Sequence, residues 1–555
     1  MKTRKFLTYI ILGALIFTIG CEDDLLQKSD PNNPTTGTFY QTEDDAILAI
    51  NSAYSALQFF GVFNRYWNYI NSARSDESQF TAKQSGLPEV NGLDDFTMIG
   101  TVKAVEQTWI ENYKGILRAN TVLKYIPGMN FTDQALKRRI LGEAYFLRAI
   151  YHFNLIQNFS EEIPIYTKVP EAAEDFFPYP AEQGVIYDTI EADLIKAKNL
   201  LPNVETYRGT DELGRISKGA AVTLLGKVYL YREKYQQAAD ELYTVIDGSC
   251  GHYELVERFR DNHVNTYDPD SGYNVPTGGI NVENNVESIF EVQYELTAGS
   301  WYQDGSSADV SSNSEAQIIE QEMTMIDGTG SMWWNAEPTQ KMINEFEKNP
   351  SDTTEVIDPR YFKTFWCPGG DKYLDDVNGT YVLKTYEKYI TRARRGHFGW
   401  RKWGRDWANA SVECDVNVRV LRLADVYLMF AECLIQNGVT PPTGAETWDY
   451  YIDLIRDRAR NDNSGNVART YSVSLPTVAE LLANPPTING IILDNPTAII
   501  RHERMVELAC EGHRWQDILR WGIGEDIFPG IFKPWLPIYT TDLMTNPNLK
   551  PNSSN

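Results

Sequence analysis

The sequence predicts a mainly α protein, a tetratricopeptide-like superhelical body carrying an irregular, loop-rich lobe. Apolar residues recur at helical spacing from about residue 42 to 247 and again after 416. Within those stretches Gly-x-x-Tyr steps alternate small with bulky side chains, as closely packed antiparallel helix pairs require. Between 248 and 415 the period disappears and Gly, Asn, Asp and Ser accumulate, together with seven of the thirteen tryptophans.

The amino terminus is read first as an address. Lys2, Arg4 and Lys5 precede an unbroken apolar or small run from Phe6 to Gly20, the layout of a secretory signal and too short to span a bilayer. Cys21 follows Gly20 at the expected cut, where bacterial lipoproteins receive their acyl chains. Residues 1–20 are therefore assigned as signal peptide, Cys21 as the lipidated residue and 21–40 as a flexible tether. Glu22, Asp23 and Asp24 would sit at the lipid surface, where acids gain nothing from anionic headgroups.

The first helix is expected from Thr42, whose hydroxyl caps while Asp45 answers from the third position; Ala46, Ile50, Ala53 and Leu57 mark its inner face. Residues 60 to 100 lack a sustained period and are read as loops. Helices are expected over "VEQTWIENYKGILRANTVLKYI", over "DQALKRRILGEAYFLRAIYHFNLIQNF", and over "AEQGVIYDTIEADLIKAKNLL", the last halted by Pro202. "AAVTLLGKVYLYREKYQQAADELYTVI" reads as a tetratricopeptide-like pair joined near Glu233, with Gly226, Tyr229, Ala238, Leu242 and Val245 at its seam. "LRLADVYLMFAECLIQNG" supplies a further such helix ending at Gly438. The stretch 248–415 is too long for a structureless loop and too aromatic for disorder, so it is expected to fold as a lobe of short helices, strands and turns. The whole of 41–555 then makes one unit, its helical body about 41–247 and 416–555, its lobe about 248–415.

Composition excludes some functions. With 76 acidic against 51 basic residues, nucleic acid is not an expected partner, since binding it relies on clustered Lys and Arg. Cys250, Cys367, Cys414, Cys433 and Cys510 show no CxxC spacing, which argues against a disulfide framework or a structural zinc site. His502 and Glu503 begin like a zinc-protease helix, but Val506 stands where the second histidine belongs. "DPDSGYN" at Asp268 lacks a third calcium ligand at Gly272. No nucleophile elbow, phosphate loop or dinucleotide turn is present, so no catalytic residue, cofactor or metal is expected, and a binding protein is favoured over an enzyme.

The carboxyl-terminal "RHERMVELACEGHRWQDILRWG", followed by "WLPIYTTDLMTNPNLKPN", resembles the ending of the SusD/RagB family of outer-membrane nutrient-uptake lipoproteins. The matching residues run from Glu503, Arg504, Glu507 and Leu508 through Glu511, Gly512, Arg514 and Asp517 to Arg520, Trp521 and Gly522, then on through Leu536, Pro537 and Ile538 to Asn546 and Leu549. Ile518 and Tyr539 depart from the pattern without touching a charge. The alternating charges of the run are expected to form ion pairs along and between helices, and Trp515 and Ile518 its apolar face, making it scaffold rather than ligand site.

The resemblance implies a cell-surface lipoprotein, held on the outer membrane through Cys21, that binds glycan or oligosaccharide and delivers it as a lid to a SusC-like TonB-dependent transporter. The alternatives are a surface-anchored glycan hydrolase, and a helical lid or scaffold for a peptide or other nutrient transporter. Ligand contacts are expected from two irregular segments converging on one exposed face. In "YWNYINSARSDESQF", Tyr66, Trp67 and Tyr69 offer stacking surfaces beside Arg74 and Asp76, which can fork onto vicinal hydroxyls; the family binds glycan with residues of this early loop. In the second segment, Trp301, Tyr302, Trp333 and Trp334 lie among Gly, Ser, Asn and Asp, the company of exposed loops.

Overall fold

The computed structural model describes residues 39–80, 90, 92–267, 279–295, 316–323, 335–367, 372–377, 380–385, 398–404, 414–462 and 471–529. The signal, Cys21 and the tether as far as residue 38 lie outside these residues, as do "DPDSGYN" and the LPIY and NPNL stretches, whereas Tyr40, assigned to the tether, stacks on Tyr125 at 4.3 Å. The helical expectation holds. Helix α1 (Glu43–Ser55) starts in the expected capping box: Thr42 Oγ1 accepts from the Asp45 amide at 3.2 Å, and the Asp45 carboxylate accepts from the Thr42 amide at 2.7 Å. Helices α2 (Lys103–Tyr125) and α3 (Gln134–Phe159) follow, the second capped by Asp133. Helix α4 (Val185–Leu200) begins later than the periodicity suggested, because Gly184 at φ +84° breaks the chain before it.

Helices α5 (Lys218–Tyr231) and α6 (Tyr235–Ile246) form the expected pair, turning at Glu233 in a left-handed backbone conformation. Close approach explains Gly226: a Cβ there would stand 2.7 Å from Leu242. Each helix from α2 to α6 packs on the next, and α7 (Leu423–Leu434) continues the stack directly on α6, so the chain leaves the body after α6 and rejoins it more than 170 residues later. Helix α8 (Trp448–Asn461), α9 (Pro496–Glu507) and α10 (Arg514–Arg520) complete the body. Buried cross-links lock neighbouring turns: Arg148 on α3 is bidentate to Asp193 on α4, both contacts at 2.7 Å.

The intervening lobe is built of short elements. Every sheet among the described residues is two-stranded. Strand β1 (Ser78–Phe80) pairs with β3 (Ala336–Pro338), and β2 (Ser288–Val292) with β4 (Val418–Arg422), all antiparallel. The second ladder ties lobe to body, since β4 runs directly into α7 and Phe290 on β2 meets Phe146 on α3 edge to face at 5.2 Å. Three of the lobe's tryptophans, Trp366, Trp400 and Trp403, are core residues. The five cysteines beyond Cys21 are all buried and unbridged.

One expectation fails. The segment after residue 60 is not all loop: Arg65–Asn68 is helical, Tyr69–Ala73 continues as a single π turn, and β1 follows. Tyr66, Tyr69, Ile70 and Ala73 are buried at helical spacing, a signal too short to stand out from the surrounding Asn and Ser.

Candidate functional site

The two segments singled out for ligand contact meet through β1 and β3, in the register Ser78 to Pro338, Gln79 to Glu337 and Phe80 to Ala336. A buried carboxylate fastens them a second time. Glu322, in the short helix Ile319–Met323, accepts from Arg65 Nε at 2.6 Å and, through short hydrogen bonds, from the Tyr69 hydroxyl and Asn335 Nδ2. The Asn335 amide returns to the Glu322 carbonyl at 2.7 Å. Burial leads the opposing effects on Tyr69 and raises its hydroxyl pKa well above the ordinary value, with Glu322 adding to the rise, so this phenol stays a donor.

The side chains expected to face a ligand are mostly turned inward. Tyr66 and Tyr69 are buried, which corrects the expectation of an exposed face for both. Trp67 is half-buried, edge to face with Trp403 at 6.3 Å and pressed against Gly512. Arg74 is buried over the Trp515 ring at 4.3 Å and donates to Asn158 Oδ1 at 2.7 Å; burial pulls its pKa down to about 9. Asp76 is buried between Arg514 and Lys341, with Oδ2 2.6 Å from Lys341 Nζ. Burial alone would push its carboxyl up, but these two cations outweigh it and hold the pKa down to about 2. The neighbouring Glu77 has the opposite fate: burial raises it to about 7, and its one hydrogen-bonded oxygen accepts from the Cys510 amide at 3.0 Å. Trp301, Tyr302, Trp333 and Trp334 lie outside the described residues.

Trp67 borders a small cavity of about 40 Å³ lined both by apolar side chains, Phe63, Phe153 and Leu421 among them, and by polar ones, including Asn71, Lys227 and Tyr231. It suits a few water molecules rather than a sugar ring. The Tyr231 hydroxyl is buried without a hydrogen-bond partner, while Lys227 Nζ contacts Asp425 at 3.2 Å and His513 at 3.1 Å.

The charged carboxyl-terminal run is the base on which this region rests. Glu507 accepts from Arg422 at 2.7 Å, Arg458 at 2.5 Å and Arg360 at 3.1 Å. Glu503 pairs with Arg360 and, at 2.9 Å, with Arg456. Glu511 holds Lys402 at 2.6 Å and Arg422 at 2.7 Å, and Arg504 joins Asp517 to Asp425, both at 2.9 Å. Apart from Arg520 with Asp517, these pairs reach across the fold rather than along a helix, so the run ties body to lobe. Among the described residues no group of His, Cys, Asp and Glu is placed to hold a metal ion, and no helix is long and apolar enough to cross a membrane.

Two family models match the chain: the one described as "SusD family" over residues 286–547, and the one described as "Starch-binding associating with outer membrane" over 47–230. SusD-like protein P2 of Formosa agariphila is 25% identical over 572 aligned residues, covering 100% of this chain and 99% of the relative. A crystal structure of a SusD superfamily protein from Bacteroides vulgatus superposes with a TM-score of 0.62 at 24% identity, covering 88% of this chain and 90% of that one. A laminarin-binding SusD-like protein superposes with a TM-score of 0.61 at 25% identity, covering 88% and 93%.

Proposed function

This chain belongs to the SusD family, and from that we propose that it is a surface lipoprotein that captures glycan and hands it to a SusC-like TonB-dependent transporter in the outer membrane. Outer-membrane association is part of the description of the family model over its first helices, and the laminarin-binding relative makes laminarin the first ligand to try. Cys21 carries the acyl chains, and residues 22–38 let the folded unit move while remaining attached.

The observation that carries the ligand assignment is the β1–β3 ladder. It joins the chain just after "YWNYINSARSDE" to the chain just after Trp333 and Trp334, so the two aromatic-bearing segments share one base pinned by Glu322. Trp301, Tyr302, Trp333 and Trp334 are proposed as the stacking residues, because flat rings offer apolar faces to sugar C–H groups at small entropy cost. Trp67 and Asp76 serve this site by position; their side chains are engaged in the protein itself.

A glycan array probed with the purified chain lacking residues 1–21 tests the reading. Retention on glucans, with the bound oligosaccharides recovered at their original length, is expected. Absence of any retained glycan, or release of shortened products, would contradict it.

A further inference from the structure

Four Asn-Gly pairs occur in the sequence, beginning at Asn91, Asn378, Asn437 and Asn489. The first two asparagines lie outside the described residues, and the other two pairs sit in exposed turns. Such a pair is chemically special. Glycine has no side chain to shield its amide nitrogen, and it accepts the backbone angles that bring this nitrogen onto the preceding asparagine side chain. In a folded protein the reaction then depends on whether the two groups are free to meet.

The turn at Asn437 leaves them free. It follows the end of α7 and is closed by the Val439 amide on the Gln436 carbonyl at 3.3 Å, with Gly438 at φ +86°. Positive φ at this position alone is the mark of a type II turn. A Cβ on Gly438 would meet nothing within 4 Å, and among the described residues neither the Gly438 amide nor the Asn437 side chain has a hydrogen-bond partner. Asn489 is as exposed but is held. It and Gly490 form the hairpin turn between the paired Ile488 and Ile491, both at positive φ. Asn489 Nδ2 donates to the Lys341 carbonyl at 3.0 Å and to Glu345 Oε2 at 2.6 Å, which fastens the side chain to the short helix Gln340–Glu345 and away from its own backbone.

We propose that Asn437 is a site of spontaneous deamidation in the folded protein, and that the two hydrogen bonds of Asn489 protect the same pair there. In the step, the Gly438 nitrogen gives its proton to solvent and attacks Asn437 Cγ. A new C–N bond forms, the side-chain nitrogen leaves as ammonia, and a cyclic succinimide remains. Water then opens the ring at either carbonyl, leaving aspartate or the backbone-lengthened isoaspartate, so an amide is exchanged for a carboxylate and nothing is oxidised or reduced. The product bears on the fold. Thr440, just beyond the turn, clasps Gln236 on α6, its amide donating to Oε1 at 2.8 Å and its carbonyl accepting from Nε2 at 3.0 Å. A lengthened backbone at 437 displaces the turn that aims Thr440, and the new carboxylate stands near the C-terminal end of α7, where negative charge is unfavourable. Deamidation therefore loosens the seam between α6 and the exit of α7.

The test is peptide mapping by mass spectrometry of the full-length lipoprotein purified in detergent, incubated folded in mildly alkaline buffer and, in parallel, unfolded in urea. In the folded protein, conversion at Asn437 should be at least about tenfold faster than at Asn489, because a reacting group held away from its partner loses that much or more. In urea the gap should close, since both asparagines then precede glycine in an open chain. Equal conversion at the two positions in the folded protein, faster conversion at Asn489, or an Asn437 that converts only in urea would each overturn the proposal. A second measurement reads the consequence. Asn437→Gln, whose longer side chain cannot close the same ring, should keep more of its melting temperature through the incubation than the wild type does. Equal losses in the two proteins would overturn the loosening of the α6–α7 seam.

Discussion

Asp76 and Arg514 form a buried two-point ion pair between the early ligand segment and the carboxyl-terminal charged run, with Oδ1 2.6 Å from Nε and Oδ2 2.8 Å from the terminal nitrogen. A carboxylate in a Ser-Asp-Glu setting is thus occupied by the scaffold. Asp76→Ala leaves Arg514 buried without its partner and is expected to cost about 3–5 kcal/mol of stability, measured by denaturant unfolding. The pair also has a signature in acid. Because its folded pKa lies below the ordinary value of 3.8, its contribution is complete above that value and lost as pH falls through about 2.

Gly512 and Trp67 are the second such contact. Gly512 sits at φ +77°, and a Cβ there would stand 2.5 Å from Trp67 Cζ2. Gly512→Ala is expected to lower stability by about 1–3 kcal/mol, from backbone strain and overpacking together. Trp67→Ala removes the obstacle, so the double variant should be more stable than the sum of the single losses predicts. Strict additivity in thermal melts would show that the two residues do not press on one another.

His502 lies buried between two carboxylates, Nδ1 3.0 Å from Glu345 and Nε2 3.3 Å from Glu347. Burial works against the charged ring, but the two acids outweigh it and raise the pKa to about 10. A histidine with a raised folded pKa contributes stability that is complete below 6.5 and lost as pH climbs through 10. The stability gap between wild type and His502→Gln should therefore be level below pH 6.5 and shrink above it, by at most about 1.4 kcal/mol per pH unit. A gap that does not vary with pH would show a neutral ring.

How far this was legible depends on the range of the interaction. The Thr42 and Asp45 box and the Pro202 stop are written within a few residues, and the Gly226 seam against Leu242 within one helix pair, and local pattern located all three. The partners of the charged run are not local: Glu503 finds Arg360 and Glu507 finds Arg422 across separations of 143 and 85 residues, where no periodicity signals a contact. Aromatic content misled in part, because Tyr66 and Tyr69 sit beside polar residues in the chain yet are buried in the fold. The fastening role of Glu322 had no sequence signal, since its partners Arg65 and Tyr69 lie over 250 residues away.

Cys21→Ala is expected to release the protein from the membrane fraction, because no described helix is long and apolar enough to hold it there. Fractionation in cells lacking the transporter checks this. A variant that still pellets wholly with membranes would refute lipid anchoring at this cysteine.

Glycan capture by the aromatic segments of the lobe is tested most directly by calorimetric titration of the soluble chain with laminarin oligosaccharides, for the wild type and for Trp301→Ala and Trp334→Ala. Saturable binding that weakens by about 1–3 kcal/mol per ring removed, at unchanged melting temperature, is the predicted result. Equal binding by all three proteins, or no heat with laminarin or with any glycan retained on the array, would contradict it.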